Sequence, residues 1–150
     1  MIRYFDDSRT HPARAVQIWL VLIGLARNRQ TITYQGLAEV LEFKGEGVFA
    51  DMLGHIAFYC KENNLPPLTD LVVKKDTGLP GDGLATQVAD FNAERERVYQ
   101  HKWFRMFPPS AEELSESFKR GKAVVADAQQ LHSTPGSTVH SNPKASASSS

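Results

Sequence analysis

Between Ile18 and Leu25 every residue except Gly24 is apolar. A helix through this stretch is apolar almost all the way round, and such a helix belongs in the middle of a core. The flanks predict its ends. Pro12 suits a first turn, where the missing N–H is not needed. Arg27 and Arg29 suit the C-terminal end, where the helix dipole favours cations. The expected helix is His11 to Asn28, with Val16, Trp19, Leu20, Leu22, Ile23 and Ala26 recurring at helical spacing. Trp19 is read as a packing residue. The apolar run ends at Ala26, well short of the roughly 20 residues that span a bilayer. Met1 to Thr10 carries Asp6 and Asp7 and lacks the apolar stretch of a secretory signal. No membrane partner is expected, and a cytoplasmic location is the default.

The chain has 150 residues, 41% hydrophobic and 23% charged, which fits one ordinary globular domain. Thr33 is a plausible N-cap for a second helix, Tyr34 to about Leu41. Lys44-Gly45-Glu46-Gly47 breaks the chain, and a third helix follows from about Val48 to Asn63. Pro66-Pro67 forbids its continuation. Leu71, Val72 and Val73 have high β propensity, and Asp76 to Gly83 is dense in turn residues. A hairpin with a short or irregular return strand is expected there. Asp90 to Phe104 reads as a fourth helix capped by Asp90, with Phe91, Val98 and Trp103 or Phe104 inward. Ser110 with Glu113 matches a capping box that opens a fifth helix. The expected organisation is a folded domain over 1–110, a C-terminal helix over 111–132 and a disordered Ser/Pro-rich tail over 133–150. The tail has too little apolar surface to offset the entropy of ordering it.

Helix, turn, helix and hairpin in that order is the plan of a winged helix-turn-helix. The expected fold class is therefore mainly α (α+β), a winged helix-turn-helix with a β-hairpin wing and extra flanking helices. The helix from Val48 would be the recognition helix, and the turn-rich segment the wing.

Short motifs along the same stretch suggest a family. Thr31-Ile32-Thr33-Tyr34-Gln35-Gly36-Leu37-Ala38, Met52-Leu53-Gly54-His55-Ile56, Asn63-Asn64 with its prolines, and Leu71-Val72-Val73 with Thr77-Gly78 together resemble the C-terminal domain of O6-alkylguanine-DNA alkyltransferases and the alkyltransferase-like proteins. The resemblance spans about a third of the chain, Thr31 to Leu84. It implies a winged helix that binds double-stranded DNA, with Tyr34 against a phosphate; a tyrosine at the start of a helix is alternatively, and more often, a packing residue. The sequence departs from the family at two functional positions. Thr69 stands where the alkyl-accepting cysteine would be, without its neighbouring His and Arg, so alkyl transfer is not expected. Asp51 stands where the family's wedging arginine would be, and phosphates repel a carboxylate there.

No other catalytic constellation emerges. Cys60 and His55 lie about 140° apart around a helix, so the thiol lacks a base and is read as buried. The five histidines show no helical zinc spacing. No metal, cofactor or catalytic residue is expected. Asp70, Asp76 and Asp82 could supply an acid–base pair, but aspartates are also ordinary turn residues. Gly78 to Gly83 lacks the Lys-Ser/Thr of a phosphate loop.

Charge decides how DNA could be held. Residues 1–30 carry five arginines against two aspartates, a net +3. Residues 31–90 carry four lysines against nine acids, −5. Residues 91–150 carry eight basic and six acidic residues, +2. The expected DNA-reading segment is thus the acidic one, opposite to the usual bias. Tyr34, Gln35, Lys44, His55, Lys74 and Lys75 are the nucleic-acid-binding candidates, with a half-buried core position as the alternative for His55. Two readings follow. The first is a non-enzymatic winged-helix DNA-binding protein. The second is a winged-helix protein-interaction or adaptor module that does not bind DNA, with Trp103, Phe104 and Phe107 as an aromatic anchor or, alternatively, as core.

Overall fold

The computed structural model describes residues 1–5, 11–43, 49–81 and 90–138. It is mainly helical. The elements are α1 (His11–Arg27), β1 (Ile32–Thr33), α2 (Tyr34–Leu41), α3 (Phe49–Glu62), a 3-10 turn (Leu68–Leu71), β2 (Val72–Val73), α4 (Phe91–Gln100), a second 3-10 turn (Trp103–Arg105) and α5 (Ala111–Thr138). Among the described residues no helix is long and apolar enough to cross a membrane.

The apolar run makes α1 the centre of the core. Ala15, Ile18, Trp19, Leu22, Ile23 and Ala26 are buried. The helix packs against α3, α4 and both 3-10 turns. Trp19 meets Tyr59 and Trp103 edge-on, with ring centroids 5.7 and 5.5 Å apart. Burial is not complete, because Leu20 remains half exposed.

The local signals account for most helix ends. Thr33 caps α2 by accepting from the Gly36 N–H at 3.0 Å. Asp90 caps α4 by accepting from Ala93 at 3.1 Å. The Ser110–Glu113 capping box forms in both directions, at 3.1 and 2.9 Å. The expected fourth helix stops early, at Gln100 rather than Phe104. A helix leaves its last carbonyls unpaired, and the Trp103 indole N–H turns back to Val98 O at 2.8 Å. That bond draws the chain out of the helix and buries Trp103.

The expected hairpin wing is not what forms. β1 and β2 pair in parallel, Ile32 opposite Val72 and Thr33 opposite Val73. Parallel strands need a long crossover, which α2 and α3 supply. With β2 committed to β1, antiparallel pairing among the described residues is one bridge between Val73 and Pro80. Pro80 has no N–H with which to extend a ladder. The turn between them closes through Lys74 N–H to Leu79 O and Gly78 N–H to Lys74 O. Gly78 takes a φ of +71°, which favours glycine. Residues 82–89 of the expected hairpin lie outside the described residues.

The chain divides into two compact units, Met1–Phe118 and Lys119–Ser150. The first extends beyond the expected 1–110 because Leu114 and Ser117 are buried and Ser117 Oγ donates to Glu62 Oε1 at 2.7 Å. In the second, the side chains from Lys122 to Gln130 are exposed. The helix there runs past Ser133 to Thr138, because extending an existing helix carries no nucleation cost.

Candidate functional site

Among the described residues the candidate DNA contacts do not form one exposed face. His55 is buried, so of its two expected positions the core one forms and not a projection from α3. Its Nδ1 lies 2.7 Å from the Asp51 carbonyl, and its ring stacks on Phe118 with centroids 4.1 Å apart. Burial lowers its pKa, so the neutral ring is favoured. Phe49, Met52, Leu53, Gly54, Ile56 and Cys60 are buried with it. The expected recognition helix therefore faces the core, and Asp51 remains among its exposed residues.

Tyr34 is half-buried, and its hydroxyl accepts from the Gly81 N–H at 3.0 Å. A Cβ on Gly81 would collide with that hydroxyl. Tyr34 thus ties α2 to the turn after β2. Gln35 and Lys75 are exposed and Lys74 is half-buried. Lys44 lies outside the described residues.

Thr69 and Asp70 are buried in the first 3-10 turn. Asp70 faces Glu94 of α4, also buried. Among the described residues neither Asp70 oxygen receives an N–H or O–H donor. Contact between the two carboxyls becomes a hydrogen bond when they share a proton. Burial, then the contact with Glu94 and its negative charge, push the Asp70 carboxyl up to about 8, against the partial opposition of Arg95 and Arg97. Arg95 lies over the Phe91 ring and donates to Gly78 O at 2.8 Å. Arg97 stands 3.9 Å from Glu94 Oε2. The pair is an acid–acid contact sealed into the fold. Sequence reading flagged Asp70 but not Glu94, because a glutamate beside Arg95 and Arg97 reads as solvent-facing even in a helix expected to turn Phe91 and Val98 inward.

Cys60 is buried, and desolvation pushes its thiol up to about 12, so it has no thiolate character near neutrality. Among the described residues no three metal-ligating side chains of the His, Cys, Asp or Glu type come together.

The aromatic cluster splits. Trp103 is core, whereas Phe104 and Phe107 are 65% and 91% exposed. Beside them a cleft of about 270 Å³ is lined by Ile23, Arg27, Tyr99, Gln100, His101, Lys102, Trp103, Phe104 and Arg105. Among the described residues it is lined by three cations and by no carboxylate. Desolvation lowers the His101 pKa, and its ring packs against Trp103 at 4.3 Å. The nearby acid, Glu96, is held by Arg29 and Gln100. A wider groove of about 960 Å³ lies among Tyr4, Phe5, Leu20, Val40 and Phe43. Its cation, Arg14, is engaged by Leu41 O at 3.0 Å and by the Phe5 ring at 4.1 Å.

Comparison with known protein families, with curated proteins and with solved structures finds no match.

Proposed function

We propose that this is a non-enzymatic protein-interaction module, docking a partner protein on the surface around Phe104 and Phe107. The observation that carries the reading is the exposure of these two rings on a fixed segment. Trp103 pins one side of that segment through its bond to Val98. Pro108 and Pro109 stiffen the other side. Preorganised aromatic side chains lose little entropy on binding and make strong anchors. Burying roughly 200 Å² of ring surface contributes about 5 kcal/mol before costs. Association costs at least about 4 kcal/mol. The rings therefore need support, and the neighbouring Arg27, Lys102 and Arg105 favour an acidic partner segment.

The winged-helix DNA reading, and with it the likeness to alkyltransferase-like proteins, has less support. It rests on the order of α2 and α3 and on the exposed Gln35 and Lys75. The buried face of α3 and the acid at Asp51 weigh against it. Four phosphate contacts would give a salt slope of only about −3.6.

The test is selection of displayed random peptides on the full chain, followed by affinity measurements on the wild type and on a Phe104→Ser/Phe107→Ser variant. Enriched peptides should combine acids with an apolar residue and should bind the variant at least about tenfold more weakly, a difference of 1.4 kcal/mol. Peptides indifferent to the two rings, or tight duplex DNA binding that ignores them, would refute the reading. Circular dichroism confirms that the variant keeps its helices.

A further inference from the structure

We infer that the cationic cleft beside Phe104 is a subsite for a phosphoryl group, carried by a phosphorylated serine or threonine of the docked protein segment. The inference rests on the protein-docking reading and assigns the cleft within it.

Charge balance is the first argument. Arg27, Lys102 and Arg105 line the cleft, and among the described residues none of them is in an ion pair. Arg27 sits in the last turn of α1, and His101 caps the C-terminal end of α4. Each helix end contributes about half a negative charge. Three cations less two such ends leave about +2. A single carboxylate would leave that charge half neutralised. A phosphoryl group, at about −1.5 to −2 near neutrality, matches it in one compact group.

The shape and donors agree. The cleft offers about 270 Å³. That is room for a tetrahedral anion that keeps part of its hydration. Two guanidinium forks can each bind phosphoryl oxygens in pairs, with the Lys102 ammonium as a point charge. Ile23 and Trp103 form an apolar wall, which lowers the local dielectric and strengthens charge pairing. Phe104 belongs both to the cleft and to the docking surface, so one peptide can fill the cleft and cover the ring.

The probe is O-phospho-L-serine, titrated into the ¹⁵N-labelled full chain and followed by amide and indole chemical shifts. L-Serine, inorganic phosphate and L-glutamate are parallel arms, with a short oligothymidylate as the nucleic-acid arm. Saturable shifts are expected at Arg27, Lys102, Arg105 and the Trp103 indole, with a dissociation constant of about 1 mM. Glutamate should bind at least about tenfold more weakly, and serine not at all. Lys102→Gln with Arg105→Gln should abolish these shifts. Phosphorylated peptides should outbind their unphosphorylated forms on the wild type alone.

The inference falls if phosphoserine gives no saturable shift by about 10 mM, ten times the expected constant. It also falls if glutamate binds equally well, or if the double variant still binds. Tighter binding of the oligothymidylate, in competition with phosphopeptides, would transfer the cleft to nucleic acid. Peptide docking that depends on Phe104 and Phe107 but is indifferent to phosphorylation would remove the subsite and leave the docking module standing. Phosphoserine binding without any peptide docking would overturn both.

Discussion

Asp70→Asn should stabilise this protein at pH 8 and do little at pH 4.5. In the fold the Asp70 carboxyl is pushed from 3.8 up to about 8. In the unfolded chain it ionises near its ordinary value. Between those two values the folded state holds a proton that the unfolded state has lost. Stability supplied by this group is therefore complete below about pH 4 and is lost as pH rises through 8. Four pKa units at about 1.4 kcal/mol each set a ceiling near 6 kcal/mol. The proton is shared with Glu94, so only part of this belongs to Asp70, and about 2 kcal/mol is expected. Asparagine needs no proton, and its amide can donate to the Glu94 carboxylate. Urea unfolding, followed by fluorescence of the buried Trp19 and Trp103, gives the free energies. At pH 8 the variant should gain about 2 kcal/mol, or about 6–10 °C in midpoint. His55 and His101 act in the opposite sense. Their lowered pKa values favour the fold above about pH 6.5, and this support is lost as pH falls. The decisive quantity is therefore the difference between variant and wild type. A variant equally destabilised at both pH values would refute the reasoning, since Asp70 would then be accepting ordinary hydrogen bonds as a carboxylate.

Three further outcomes are expected. Gly81→Ala should cost about 1–3 kcal/mol through overpacking against the Tyr34 hydroxyl. Tyr34→Phe should recover part of that loss in the double variant, and a purely additive cycle by chemical denaturation would count against the contact. Cys60 should resist a thiol reagent in the native protein and react stoichiometrically in urea; rapid native labelling would contradict its burial. Ser110→Ala should lower stability by about 1 kcal/mol as α5 loses its reciprocal cap, and an unchanged unfolding midpoint would show that the cap contributes nothing.

Local rules carried the fold reading a long way. Helix starts were legible wherever one side chain caps a backbone N–H, as at Thr33, Asp90 and Ser110. The central place of α1 was legible because a continuous apolar run has few alternatives. Pairing was not legible. Val72-Val73 reads as β structure, but nothing local says that its partner is Ile32-Thr33, forty residues away, and Pro80 limits the nearer alternative. The end of α4 was also hidden, because it depends on an indole reaching back to Val98. At the candidate site, the bases and rings of 101–107 were visible as types only. Whether an aromatic is core or surface is a tertiary fact, and here Trp103 turned inward while Phe104 and Phe107 turned outward. Glu94 was missed for the same reason: it falls between Phe91 and Val98 on the inward side of α4, but a glutamate by itself reads as solvent-facing.

Hydrogen–deuterium exchange of the full chain, with and without the tightest selected acidic peptide, tests the docking claim most directly. Exchange should slow over residues 102–107 and the last turn of α1, and the effect should be abolished by Phe104→Ser with Phe107→Ser. Protection confined to α2 and the turn after β2, produced by duplex DNA and not by any peptide, would contradict it.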